Sequence, residues 1–173
     1  MTIEDRPQRI LRPAAPGFMA LTMGVAVIFN LLPWGALSGV PDLVALVLVF
    51  WCIHQPRRTG IGIAWLIGLL MDAGNGALLG QHAFAYSVLA FAAIALHRRI
   101  LWFPPWQQAV HVFVLLLSSQ LLMITVRLAA GGAFPGIAYF ADSLVAALLW
   151  PVATFVLLLP QRRPEDVDLN RPI

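Results

Sequence analysis

Charged residues are scarce in this sequence: only 11% of its 173 residues are Asp, Glu, Lys or Arg. An ordinary soluble domain carries about 25%, so there is too little charge to cover a globule with a surface that water solvates well. Hydrophobic residues make up 60% of the chain, in runs separated by short polar segments. The composition therefore excludes an ordinary soluble domain and predicts an integral membrane protein of a single domain.

Lysine is absent, and all eleven basic residues are arginine. In a soluble protein a basic excess would suggest a nucleic-acid partner. Here the arginines lie between apolar runs, where basic residues act as topology signals, so we expect a lipid membrane and no nucleic acid. Cysteine occurs once, at Cys52 inside an apolar run, so no disulfide can form within the chain.

Six apolar runs follow one another, over residues 17–37, 41–54, 60–71, 78–96, 106–130 and 137–159. The second and third are short for a hydrocarbon core about 30 Å thick, which takes roughly 20 helical residues. A re-entrant hairpin made of these two runs would place Arg57 and Arg58 inside the membrane. Each arginine there costs at least about 2.5 kcal/mol, so two short spans are favoured.

Six spans place ten of the eleven arginines on one side of the membrane, and only Arg127 falls within a span. Five spans would place one arginine cluster on the opposite side. The positive-inside rule therefore predicts six short transmembrane helices with both termini in the cytoplasm. The expected fold is an all-α membrane protein, with cytoplasmic tails over residues 1–16 and 160–173 and a six-helix membrane domain over 17–159.

A polar, glycine-rich stretch, GLLMDAGNGALLGQH at positions 68–82, interrupts the apolar chain near its centre. Gly60, Ala64 and Gly68 lead into it at four-residue spacing. Small residues at this spacing let helix backbones approach closely, so we expect a tight helix–helix contact along them. The alternative is that Gly and Ala are simply common in membrane helices.

Asp72 follows Gly68 at the same four-residue step, at the outer end of the third span. A carboxylate at a helix C-terminus opposes the helix dipole. The neighbouring residue types predict that Asp72 either bonds the amides of the turn 74–76 or caps the start of the fourth helix. A ligand or proton site and a contact with a partner protein are the alternatives.

Arg127 and Asp142 are the other charges expected at membrane depth. They flank one turn, so an ion pair between them would satisfy both; the alternative is that Arg127 extends alone towards the headgroups. The fifth span also carries two polar stripes, which we expect to form hydrogen bonds between helices rather than to line a pathway: Gln120 on the Arg127 face, and Gln108, His111, Ser118 and Ser119.

Catalytic signatures are missing from the sequence. It has no His-Glu-x-x-His or Gly-x-Ser-x-Gly motif, no phosphate-binding loop and no Cys or His cluster of metal spacing. Two membrane aspartates, Asp72 and Asp142, could suggest an intramembrane aspartyl protease, but neither lies in the glycine-bearing motif of such proteases. We therefore expect no enzyme activity, no cofactor and no metal.

The order and spacing of several fragments resemble the MreD family, small membrane proteins of the bacterial rod-shape system. The fragments are PDLVALVLVFW at 41–51, PRRTGIG at 56–62, Gly68, Asp72, Gly76 and Leu79-Gly80 in the central stretch, an Ala-rich helix from His82, WQQA at 106–109 and LWP at 149–151. The resemblance extends over about residues 30–160. The positions expected to serve structure or partner contact are Gly60, Gly68, Asp72, Gly76, Gly80, Arg127 and Asp142.

The resemblance implies a non-catalytic protein of the bacterial cytoplasmic (inner) membrane. Its implied role is a scaffold that supports lateral peptidoglycan synthesis and rod shape, acting with an MreC-like bitopic protein, an MreB-like filament, the glycosyltransferase RodA and a penicillin-binding transpeptidase. The family's fold is similar to the substrate-binding component of energy-coupling vitamin transporters. That similarity implies the alternative function, a small-molecule-binding transporter subunit.

An outward-facing polar pocket would distinguish the two functions, because a transporter subunit needs several polar and aromatic groups around its ligand. The sequence offers few such groups near the outer surface: Asp42, Asp72, Asn75, Gln81 and His82. The scaffold is therefore the favoured function.

Overall fold

A computed structural model describes residues 14–33 and 40–161, and within these ranges the chain is helical, without β-strands. Six α-helices follow in order: α1 Pro16–Leu31, α2 Leu43–His54, α3 Ile61–Asn75, α4 Gln81–Leu101, α5 Pro105–Ala129 and α6 Ala141–Leu158. Short 3-10 turns, Ile137–Phe140 and Leu159–Gln161, flank α6. The all-α class is confirmed, while most of the two predicted tails, at 1–13 and 162–173, lies outside the described residues.

Proline, aspartate and glycine set where several helices begin and end. Pro16 and Pro105 occupy the first turns of α1 and α5, where a missing backbone N–H costs little. Asp42 caps α2, because its carboxylate accepts a hydrogen bond of 2.9 Å from the backbone N–H of Ala45. α3 ends at Asn75 and is capped by Gly76, whose φ of 60° is left-handed and favours glycine.

The buried centre of the molecule is α2. Most of its 12 residues are buried, including Phe50, Trp51 and Ile53. A helix that is apolar on all sides is stable only where other elements surround it, and α2 packs against α1, α4, α5 and α6. α4 in turn contacts α2, α3 and α5, so α2 and α4 together join all the other helices.

The outer surface of the bundle is apolar. Large side chains on different helices are exposed, among them Ile28 on α1, Leu66 on α3, Phe91 on α4 and Leu148 on α6. A soluble monomer rarely exposes large contiguous apolar patches. A surface of this kind is the one that lipid tails cover.

Three helical segments are long and apolar enough to cross a membrane: Gln81–Leu101, Pro105–Ala129 and Ile137–Gln161. The other three helices, α1, α2 and α3, are apolar but only 16, 12 and 15 residues long. The architecture therefore fits a membrane protein. The more detailed expectation, six spans with both termini cytoplasmic, stays a prediction.

Candidate functional site

Asp72 lies in the last turn of α3 and is 1% exposed. Its carboxylate accepts hydrogen bonds from three backbone N–H groups at the start of α4: Gly80 at 2.8 Å, His82 at 2.8 Å and Ala83 at 3.3 Å. These groups belong to the first turn of α4, where N–H groups have no partner within the helix. Of the two caps that the sequence suggested, the structure shows the one at the start of the fourth helix.

The carboxylate of Asp72 is fully occupied by these contacts. Oδ1 also lies 2.7 Å from Nδ1 of His82, so each carboxylate oxygen accepts two hydrogen bonds. A carboxylate has about four acceptor positions, and none is left for a metal or a substrate. The negative charge also stabilises the positive end of the α4 dipole. The geometry therefore makes Asp72 a structural anion that joins α3 to α4.

Gly68 lies one turn before Asp72 on α3 and touches the backbone of α4. A Cβ built at Gly68 would lie 2.4 Å from Cα of Ala83, 2.6 Å from its N and 2.7 Å from the carbonyl carbon of His82. No side chain larger than hydrogen fits at that separation. The close approach at Gly68 brings the first turn of α4 within hydrogen-bonding distance of Asp72. We call Gly68, Asp72 and the residues 80–83 that they contact the α3–α4 joint.

Gly60 does not share this close contact, and the expectation that it does is wrong. A Cβ built at Gly60 would meet no atom of the described residues within 4 Å, although Ala64, one turn later, is fully buried. Gly60 is the residue before the first turn of α3, at the end of the helix far from the α3–α4 joint. Gly76 and Gly80 lie in the connection itself, with left-handed φ values of 60° and 100°, and let the chain reverse between the two helices.

A second carboxylate, Asp42, is half-buried and connects α1, α2 and α4. It accepts hydrogen bonds from the side-chain amide of Asn30 at 2.7 Å and from the hydroxyl of Tyr86 at 2.7 Å, in addition to its cap on Ala45. The side-chain oxygen of Asn30 accepts the N–H of Leu43 in return. Asp42 thus fixes three helix ends to one another, as Asp72 fixes two.

A polar cavity of about 210 Å³ lies beside these two carboxylates. The cavity is lined by residues from α1, α3, α4, α5 and α6 and from the segments that precede α2 and α6: Asn30, Val40, Pro41, Asp42, Met71, Asn75, His82, Tyr86, Gln120, Met123, Tyr139 and Asp142. Asp42, Asn75 and His82 are in this lining, as the sequence suggested, whereas Asp72 and Gln81 are not. The cavity is more polar than the sequence indicated, because α5 adds Gln120, the α5–α6 connection adds Tyr139 and α6 adds Asp142.

The polar stripes of α5 partly form the predicted bonds between helices. Gln120 accepts the hydroxyl of Ser143 at 2.7 Å and donates to the carbonyl of Tyr139, and the indole N–H of Trp150 donates to Gln108 at 3.1 Å. These three bonds confirm the prediction for the two glutamines. It is wrong for His111 and Ser118, which bond carbonyls of their own helix, while the hydroxyl of Ser119 has no partner among the described residues.

Arg127 and Asp142 lie on either side of the connection between α5 and α6. Arg127 is exposed, in the last turn of α5, and its side chain packs over Gly132. Asp142 is half-buried in the first turn of α6, at the edge of the polar cavity. Their ion pair stays a prediction.

Asn30 and Tyr86 are site residues that sequence reasoning missed. Each bonds Asp42. A polar residue in a membrane helix is itself a signal, since it must find a partner there. Within the described ranges no group of three or more His, Cys, Asp or Glu side chains could hold a metal ion.

Comparison with known proteins gives one consistent family. The family described as rod shape-determining protein MreD matches residues 12–160 of the chain. The rod shape-determining protein MreD of Haemophilus influenzae is 30% identical over 152 residues, which cover 84% of this chain and 90% of that protein. No solved structure matches the chain.

Proposed function

This chain belongs to the MreD family of rod shape-determining proteins, and from that premise we propose that it is a non-catalytic membrane scaffold of the rod-shape complex. In this role it supports lateral peptidoglycan synthesis by holding partner proteins together in the cytoplasmic (inner) membrane. The proposed partners are an MreC-like bitopic protein, an MreB-like filament, RodA and a penicillin-binding transpeptidase.

The observation that carries the proposal is the bonding of two carboxylates, Asp72, which is buried, and Asp42, which is half-buried. Asp72 accepts four hydrogen bonds and Asp42 accepts three, and these bonds join helix ends to one another. Bonded polar networks of this kind rigidify a structure. A rigid bundle with an apolar exterior suits a protein that holds others in place within the membrane.

The proposed topology has six spans and both termini in the cytoplasm. It places the arginine pair after α2, the pair in the last turn of α4 and the arginines near both termini on the side that favours basic residues. α1, α2 and α3 are shorter than the roughly 20 residues of a full span. A locally thinner bilayer covers that mismatch at a modest cost, and α2 is enclosed by other helices, so lipid need not match its length.

The alternative function, a small-molecule-binding transporter subunit, is favoured by the polar cavity. Its lining contains more hydrogen-bonding side chains than the sequence suggested, because it also includes Asn30, Tyr86, Gln120, Tyr139 and Asp142. Its volume of about 210 Å³ is nevertheless below the roughly 300–1,000 Å³ of sites that enclose a drug-sized ligand. The scaffold therefore remains the better-supported function.

Purification from the native membrane in a mild detergent tests both functions. The scaffold predicts recovery of an MreC-like protein or wall-synthesis enzymes and no stoichiometric small molecule. The variant Asn75→Ala, which removes a polar group from the cavity lining, should leave that recovery unchanged. A tightly bound vitamin-like molecule that is lost in Asn75→Ala, with no such partner recovered, would contradict the scaffold.

A further inference from the structure

An apolar groove lies between α1 and α3, and Trp51 of α2 also lines it. Its volume is about 740 Å³. We call it the α1–α3 groove. It is lined by Pro16, Met19, Ala20, Met23, Gly24, Val27, Trp51, Arg58, Thr59, Ile63, Ile67 and Leu70. From Pro16 to Val27 the helix rises about 16 Å, which is close to the depth of one leaflet of a hydrocarbon core about 30 Å thick.

The charged and hydroxyl-bearing side chains of this groove lie together at one end. Arg58 and Thr59 come from the connection between α2 and α3, beside the start of α1. The remaining side chains of the lining are apolar, apart from the indole of Trp51. That indole donates its N–H to the hydroxyl of Thr22 at 3.0 Å. The groove therefore has a charged end and an apolar length.

Arg58 is held at the mouth of the groove before any ligand arrives. Its Nη1 donates a hydrogen bond of 2.7 Å to the carbonyl of Ala14, at the start of α1. A guanidinium carries five N–H donors, so this anchor leaves the group able to bind an anion as well. A side chain that is already ordered loses less entropy when it binds.

Thr59 supplies a second polar group at the same end. The residue is 2% exposed, and its hydroxyl has no hydrogen-bond partner among the described residues. A buried hydroxyl without a partner is destabilising. An apolar helix packed into the groove would offer the Thr59 hydroxyl no acceptor. The oxygen of a lipid headgroup bound at Arg58 would offer one.

We propose that the α1–α3 groove binds an anionic phospholipid, with the headgroup phosphate at Arg58 and Thr59 and an acyl chain along α1 and α3. An amphiphile with one negative end and an apolar tail matches the distribution of charge in the groove. Basic pockets between helices on the cytoplasmic side commonly bind anionic headgroups, and the proposed topology places Arg58 on that side.

The test is lipid binding to the delipidated, detergent-purified full chain, measured by native mass spectrometry. Phosphatidylglycerol and phosphatidylcholine with identical acyl chains are titrated separately. We expect phosphatidylglycerol to bind at least about fivefold more tightly, the ratio that corresponds to about 1 kcal/mol per basic side chain. Equal binding of the two lipids would overturn the proposal.

Two pairs of variants locate the site. Arg58→Gln should weaken phosphatidylglycerol binding about fivefold, whereas Arg57→Gln, which alters an adjacent exposed arginine outside the lining, should not. Gly24→Leu should weaken both lipids by filling the groove, whereas Gly62→Leu should not. A Cβ at either glycine meets no described atom within 4 Å, so both leucine side chains begin in open space.

The outcomes of these pairs are decisive. If Arg58→Gln and Arg57→Gln weaken phosphatidylglycerol binding equally, general surface charge explains the affinity, and the proposed site is overturned. Equal binding by Gly24→Leu and Gly62→Leu would show that no acyl chain occupies the groove. A co-purifying polypeptide that Gly24→Leu loses and Gly62→Leu keeps, with lipid binding unaltered, would assign the groove to a partner helix instead.

Discussion

Replacement of Gly68 by alanine tests the α3–α4 joint with a single methyl group. The new Cβ would lie 2.4 Å from Cα of Ala83 and 2.6 Å from its N. Carbon atoms pack best at about 3.5–4.0 Å, so the two helices must separate by about 1 Å. The obstructing atoms are backbone, and they cannot rotate away as a flexible side chain can.

The separation also weakens the bonds that Asp72 makes to α4. The two shorter backbone bonds are 2.8 Å long, and an extra 1 Å carries them beyond the range of about 2.7–3.2 Å. Overpacking costs about 1–3 kcal/mol, and a hydrogen bond to a charged group contributes about 1.5–3 kcal/mol. With one such bond lost, we therefore expect Gly68→Ala to lower the free energy of unfolding by about 2.5–6 kcal/mol.

Gly62→Ala is the matched control, because it makes the same change on the same helix. A Cβ at Gly62 meets no described atom within 4 Å, and alanine favours a helix over glycine by up to about 1 kcal/mol. The control should be neutral or stabilising. The assay is unfolding in mixed micelles as the fraction of denaturing detergent is raised, and equal stability of the two variants would refute the close contact.

Three further changes probe the polar contacts and the topology. Asp72→Asn places an amide donor against backbone N–H groups and should lower the free energy of unfolding by about 2–4 kcal/mol, which a denaturing-detergent titration measures. If Arg127 and Asp142 pair, Asp142→Ala should destabilise the protein more than the double alanine variant does; single effects that simply add would contradict the pair. Reporter fusions after positions 58, 99 and 163, where three arginine pairs end, should all report cytoplasm, and a periplasmic signal at any of them would contradict six spans.

The cap made by Asp72 could be predicted from the sequence because its hydrogen-bond partners lie close to it along the chain. Its partners in α4 follow within 11 residues, and glycines between them signal a reversal of the chain. Gly60 was mispredicted for a reason that spacing cannot reveal. Four-residue spacing places residues on one face of a helix, but the close contact with α4 is at Gly68, in the middle of α3, and Gly60 stands before the helix begins.

The network around Asp42 could not be predicted from the sequence. Its partners Asn30 and Tyr86 are 12 and 44 residues away, so they meet only once α1, α2 and α4 pack together. The polarity of the cavity was underestimated for the same reason. Gln120 and Tyr139 face Asp42 across the bundle, and no local pattern places α5 and the α5–α6 connection beside α2.

The central claim, that this chain is a scaffold for rod shape, is tested most directly by cell shape. The chain is depleted in its own bacterium while cell width and the site of new wall insertion are followed by fluorescence microscopy. The account predicts that rods widen and round up as lateral insertion is lost, and that Gly62→Ala restores the rods while Gly68→Ala does so poorly. Cells that keep their width and lateral insertion throughout depletion would contradict it.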